Sequence, residues 1–354
     1  MIALVRRSRF GPIGIDIGSR SVKLLQLDGQ RSAIVEAARW DLPADWSATP
    51  ERADEAVVAA IRQARQGRNF RGREAVLCVG AGDLFVQNIR VAQVAGDQLH
   101  RLVHAEAAGR LPFPKEEAEL RYIEAADVRQ GDTMRREVIL LACRRAAIER
   151  AIAVAEQAGL EPLAIDAQPA ALVRCYARQY RRDNDQQRRT MFVHIGASST
   201  MTVIARGQDL LFVKPIDSGG RHMDEAVAQH LNMPIESAAA LRRHNGDRRA
   251  DQRDPEVARS LLEAIRPVLD RLGNELSMSL RYHSVTFRGE PVSLVVLGGG
   301  EASESLAEFL AARLEIPCEL GHPVRSFRNQ HLAGRVSQWD VAAGLALRED
   351  EVRR

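Results

Sequence analysis

Gly14-Ile15-Asp16-Ile17-Gly18-Ser19-Arg20-Ser21-Val22-Lys23-Leu24-Leu25-Gln26-Leu27 is a pair of short apolar runs parted by a Gly/Ser turn. That pattern predicts a β-hairpin whose turn displays an aspartate and several backbone N–H groups. Further along, Met191-Phe192-Val193-His194-Ile195-Gly196-Ala197-Ser198-Ser199-Thr200 repeats it, followed by strand-like runs over 201–205 and 210–216. Laid over one another, residues 15–19 and 193–197 match as β-turn-β units with one polar exchange, His194 for Asp16. The chain therefore reads as a duplication. A third small-residue turn, Gly298-Gly299-Gly300, lies between a strand-like run over 292–297 and a helical pattern over 303–314.

Gly/Ser turns let backbone N–H groups approach phosphate oxygens with no Cβ in the way, and they supply fixed positive dipoles. Two such hairpins and a later strand-GGG-helix are what a nucleotide held between two lobes requires. Candidate phosphate contacts are Gly18, Ser19, Ser21, Gly196, Ala197 and Ser198; the triplet Gly298, Gly299 and Gly300 could seat a base or a phosphate. Any one turn alone carries little, and the order of all three carries the reading.

Between the two hairpins the pattern predicts a third strand over 34–40, a helix over 50–64, and a Gly/Arg/Asn-rich crossing over 66–73. Strands follow over 75–79, 85–91, 119–125 and 138–143. One helix opens at a capping Asp97 and stops before Leu111-Pro112-Phe113-Pro114; another runs over 146–158 and closes at Gly159. A strand over 163–166 and a helix opening at Pro169 precede an arginine-rich boundary over 179–190. After the second hairpin, Gly219-Gly220 lead into a mostly helical stretch to about Tyr282, interrupted by a charged loop over 242–254. A short strand over 318–320 and a closing helix over 340–348 end the pattern.

The chain's 354 residues, 45% of them hydrophobic, can fill the cores of two or three packed units. Charged residues make up 27% yet nearly cancel to a net +3, which implies no nucleic-acid partner, since that would need a concentrated basic face. Cys78, Cys143, Cys175 and Cys318 form no CxxC pair, which argues against zinc and a disulfide framework and suits a reducing compartment. No apolar run approaches the ~20 residues a spanning helix needs. Residues 1–10 mix Ile2, Leu4 and Val5 with Arg6, Arg7 and Arg9, too short an apolar core for a secretory signal. They read as a solvated basic lead-in or as a contact for an anionic membrane surface.

The three turns resemble the first phosphate, second phosphate and adenosine motifs of the actin, Hsp70 and sugar-kinase superfamily. Residues 15–24, the helix ending in Leu111-Pro112-Phe113-Pro114, and Gly159-Leu160-Glu161-Pro162 leading to Ile165-Asp166-Ala167-Gln168-Pro169 resemble the type IV pilus assembly protein PilM, or competence protein A, family over almost the whole chain. The resemblance implies an α/β, actin-like (ribonuclease H-like, duplicated) two-lobed fold with an inserted α+β subdomain related to that of FtsA. It divides the chain into a first lobe over 1–74, completed by 164–189 and a closing helix over 338–350, a partner-binding insertion over 75–163, and a second lobe over 190–337 with a helical subdomain at about 220–280. It further implies a cytoplasmic protein, peripheral at the inner membrane, that binds the cytoplasmic tail of a bitopic PilN-like partner between the first lobe and the insertion. Pilus motor ATPases and further copies of the chain are additional implied partners, and the host machine could equally be a competence or type II secretion-like system.

The same resemblance implies ATP and Mg2+ as ligands and assigns roles. Asp16 would position magnesium through water, Lys23 would lie near phosphate, and Gln168 would orient the attacking water. His194 stands where relatives carry the metal-holding aspartate, so hydrolysis should suffer. Ala239 and Arg242 replace a glutamate and a lysine that face the adenosine. Lys23 reads equally as an exposed strand residue, Gln168 as a helix cap and His194 as a hydrogen-bonded core histidine. A sugar kinase of the same superfamily and an FtsA-like cytoskeletal protein are the alternatives; the charged tail over 348–354 lacks the apolar face of an FtsA membrane helix.

Overall fold

The computed structural model describes residues 9–348 except 44–45, 48, 180–186, 248–251, 253 and 288. The basic lead-in over 1–8, the tail over 349–354 and parts of the loops over 179–190 and 242–254 lie outside the described residues. The opening hairpin pairs β1 (Phe10–Ile17) with β2 (Ser21–Asp28), setting Asp16 opposite Lys23. β3 (Ile34–Asp41) adds to β2, while β4 (Glu74–Cys78) and β8 (Glu161–Asp166) extend β1 in parallel, giving the order β3-β2-β1-β4-β8. The second sheet comprises β9 (Arg189–Ile195), β10 (Thr200–Arg206), β11 (Asp209–Ile216), β12 (Val292–Gly298) and β13 (Cys318–Leu320), in the order β11-β10-β9-β12-β13. The two orders are the same pattern, so the duplication read from the turns is present in the topology, with β1 and β9 as matching central strands.

α1 (Pro50–Arg65) and α3 (Arg145–Gln157) cover one face of the first sheet. Val57, Ala60, Ile61 and Ala64 fall on one helical stripe and bury against Ile13, Ile15, Leu24 and Leu77. α3 closes with Gly159 at φ 79, its N–H bonding Glu156 O at 2.9 Å while Leu160 N–H reaches back to Ala155 O at 3.0 Å. This crossed pair of bonds satisfies carbonyls the helix end would otherwise leave open.

α4 (Gln168–Ala177) and α9 (Asp340–Ala346) sit between the two sheets. Their Ala171, Leu172, Tyr176, Val341 and Leu345 form one core with Val76, Phe192, Val203 and Val296, and Tyr176 stacks on Phe192. The approach is close enough that a Cβ on Gly344 would lie 1.9 Å from Ala171 O, and one on Gly14 2.3 Å from Ala342 O. On the far face of the second sheet, α7 (Pro255–Thr286) and α8 (Glu304–Leu314) bury Val268, Leu272, Leu276, Leu306 and Leu310. α5 (Gly220–Leu231) and α6 (Ile235–Asp247) pack beside α7.

The insertion is a small sheet, β5 (Phe85–Ala92), β7 (Thr133–Arg144) and β6 (Ala118–Gln130), ordered β5-β7-β6 and covered on one face by α2 (Gly96–Ala108). The capping role expected of Asp97 is corrected: Ala95 is the N-cap and Asp97 lies inside the first turn, because the helix begins at Gly96, which takes φ 55, two residues earlier than a cap at Asp97 would place it. Asp97 there still complements the helix dipole. The insertion leans on the second half. Asn88 exchanges two hydrogen bonds with the Val213 backbone, at 2.8 and 3.4 Å, and fully buried Glu137 accepts from Arg90 Nε at 2.8 Å and from the Tyr282 hydroxyl on α7. Burial and the Glu137 carboxylate push the Tyr282 hydroxyl up to about 12. Among the described residues no helix is long and apolar enough to cross a membrane.

Candidate functional site

The turns after β1 and β9 and the triplet after β12 converge on one cleft of about 730 Å³. Gly18, Ser19 and Ser21 face it from one side, Gly196, Ala197 and Ser198 from the other, and Gly300 closes an end. Only the last glycine of the triplet lines the cavity. Gly298 and Gly299 serve packing: a Cβ on Gly298 would meet Asp340 Oδ2 at 2.1 Å, and one on Gly299 the Ile195 backbone at 2.3 Å.

Asp16 and Lys23, opposite one another on the hairpin, both line the cleft and pair directly, Lys23 Nζ donating to Asp16 Oδ2 at 2.6 Å. Lys23 is therefore buried, where an exposed strand position was an equal reading. His194 takes the matching place on β9 and bonds Asp340 Oδ2 through Nδ1 at 2.9 Å. Burial disfavours its proton, but the Asp340 charge and hydrogen bond outweigh that and hold its pKa above the usual histidine value. Gln168 is the first residue of α4, lines the cleft, and has a buried Oε1 with no hydrogen-bond partner. Its side chain caps no helix; the N-cap is Ala167.

Arg242 does not line the cavity. Its Nε donates to Asp224 Oδ1 at 2.7 Å and Nη2 to Glu301 Oε2 at 2.9 Å. Arg20 binds the same two carboxylates from across the cleft, donating to Asp224 Oδ2 at 2.9 Å and to Glu301 Oε1. Burial pushes Glu301 up, yet the charges of Arg242 and Arg20 override it and hold the carboxyl below the usual glutamate range. Sequence reasoning missed Arg20, Asp224, Glu301 and Asp340. The only signals were a charged residue at a turn tip and another directly after a glycine triplet. Among the described residues, no three His, Cys, Asp or Glu side chains are arranged to hold a metal ion.

A second, larger cavity of about 1440 Å³ runs between the insertion and the first half. Ile123 of β6 and Leu141 of β7 line one side of it and Ile148 of α3 with Leu163 and Ile165 of β8 the other, with Arg145 and Arg174 among its polar wall. Val79 lines both cavities.

Comparison with solved structures finds several similar ones. A PilM-PilN type IV pilus biogenesis complex is 24% identical over 97% of this chain and 99% of that one, with a TM-score of 0.79. The ethanolamine utilization protein EutJ from Carboxydothermus hydrogenoformans is 14% identical over 96% of this chain and 89% of its own, with a TM-score of 0.56. MreB5 of Spiroplasma citri, solved bound to ADP, is 12% identical over 96% and 95%, with a TM-score of 0.49. The fold is thus the actin-like one, duplicated and carrying an insertion. A family profile described as type IV pilus assembly protein PilM matches residues 14–350, which favours neither the sugar-kinase nor the FtsA-like alternative. The chain belongs to the type IV pilus assembly protein PilM family.

Proposed function

We propose that this chain is a cytoplasmic assembly module of a type IV pilus machine that docks the cytoplasmic tail of a bitopic, PilN-like inner-membrane protein. The groove between the insertion and the first half is the observation that carries the reading. It offers an apolar floor, and β8 and β6, each an edge strand of its sheet, contribute to its walls. An extended tail suits such a place, since its main chain can pair with a strand edge while alternate side chains fill pockets. Leu163 is 43% exposed on the groove wall and available to such a tail.

The test is a calorimetric titration of a peptide matching the partner's tail. Micromolar binding is expected, weakened at least about tenfold by Leu163→Asp, as for a central interface anchor. Val285→Asp, on an exposed position of α7 outside the groove, should leave binding unchanged. Equal binding by wild type and Leu163→Asp would place the docking surface elsewhere.

For the cleft, the proposal keeps Gly18, Ser19, Ser21, Gly196, Ala197, Ser198 and Gly300 as phosphate contacts. Mg2+ fits poorly: Asp16 is committed to Lys23, His194 is committed to Asp340, and an imidazole is a weak magnesium ligand. Gln168 Oε1 retains an unmet acceptor that a water or a ligand hydroxyl would satisfy. These residues support assembly through binding, and no hydrolytic step is drawn from them.

A further inference from the structure

Arg20, at the tip of the first turn, crosses from one half of the molecule to the other. With Arg242 it forms a closed square of alternating charge around Asp224 and Glu301, in which each of the four carboxylate oxygens has its own guanidinium partner. Three corners belong to the second half, Asp224 and Glu301 buried and the Arg242 side chain 10% exposed; Arg20 alone comes from the first, its side chain 26% exposed. Glu301 is pressed against Gly220, where a Cβ would lie 2.4 Å from its carboxyl carbon. Beyond the square, Arg335 donates to the carbonyls of Gly300 at 3.3 Å and Ala302 at 3.2 Å and pairs with Asp247 at 2.7 Å. Arg20 and Arg335 thus bring guanidinium groups to the wall of the cleft past the small-residue turns, with Arg242 behind them.

We infer that Arg20 is a latch that holds the two halves closed without a nucleotide and gates the cleft against ATP. Parting the halves withdraws Arg20 and leaves two buried carboxylates sharing one guanidinium, an uncompensated charge in a poorly solvated place. A polyphosphate cannot take over, because it brings negative charge towards Asp224 and Glu301 where Arg20 had brought positive. Binding therefore requires an open state that the square keeps scarce, and the apparent affinity falls by the fraction of molecules that are open. The inference rests on the cleft alone and not on tail docking.

The experiment is an equilibrium titration with ATP and with a fluorescent ATP analogue, with and without Mg2+, alongside small-angle scattering. The proteins are wild type, Arg20→Lys, and the double variant Arg20→Ala with Glu301→Gln, which removes one charge of each sign and leaves Arg242 paired with Asp224. Wild type should bind weakly, the double variant about tenfold to a hundredfold more tightly with a larger radius of gyration, and Arg20→Lys in between. Wild-type affinity already equal to that of the double variant, or no gain on unlatching in folded protein, would overturn the latch. Tail-peptide affinity read on the same proteins separates this result from the docking proposal, which stands or falls on the groove variant.

Discussion

His194 and His283 are both buried, and burial acts on them with opposite outcomes. The Asp340 carboxylate, hydrogen-bonded to His194 Nδ1, raises the pKa of that imidazole against the effect of burial. His283, 1% exposed and stacked on Phe287, has no partner for Nε2, and burial followed by the nearby Arg189 charge pushes its pKa down to about 4. Between an unfolded value near 6.5 and a folded value near 4, only the unfolded chain takes up that proton, so stability falls as the pH falls through this window, by up to about 3 kcal/mol. The term from His194 has the other sign: it is present below 6.5 and fades as the pH rises through its elevated folded pKa. Urea unfolding at pH 7 and pH 5 should show His283→Phe losing less stability on acidification than wild type; identical losses would rule His283 out as the acid-sensitive group. At this scale the sequence was legible where chemistry shares a hairpin. Asp16, Lys23, Gln168 and His194 all reach the cleft. It was illegible where partners are distant in the chain: Arg20 and Glu301 are 281 positions apart and His194 and Asp340 146, and no local pattern records such a pairing.

Elements were the most legible level, because turn chemistry and periodicity are local. Gly159 marked the end of α3, and it holds a left-handed conformation there. Gly159→Ala should cost about 1–2 kcal/mol, the penalty of a Cβ in that region, and a thermal melt would register it; an unchanged melting temperature would mean that the cap relaxes without loss. Asp97 misled for a reason of the same kind. A side chain able to cap is recognisable in sequence, whereas a glycine backbone that enters the helix unaided is not. The long α7 accommodates Pro267 in its interior and ends at Thr286, a few residues past the expected end near Tyr282.

The duplication, and with it the fold, was legible at the scale of the whole molecule because one β-turn-β pattern occurs twice; how the insertion is carried was not. It hangs from the first half by its connections but is fastened to the second by Asn88 at Val213, by Glu137 at Tyr282 and by Arg90 at Thr286, with Arg90 and Glu137 paired inside the insertion. Glu137→Ala would leave Arg90 without its buried partner, at a cost of about 3 kcal/mol. Differential scanning calorimetry should then show the single transition broaden or split as the insertion uncouples; one sharp transition at the wild-type temperature would mean the joint contributes nothing. That fastening gives the groove a property neither half has alone. One jaw, β8 with α3, rides on the first half, and the other, β6 with β7, rides on the second, so the groove works as a caliper whose gap records the angle between the halves. Whatever spreads or clamps that gap must bias the hinge, and by reciprocity the hinge must bias the grip.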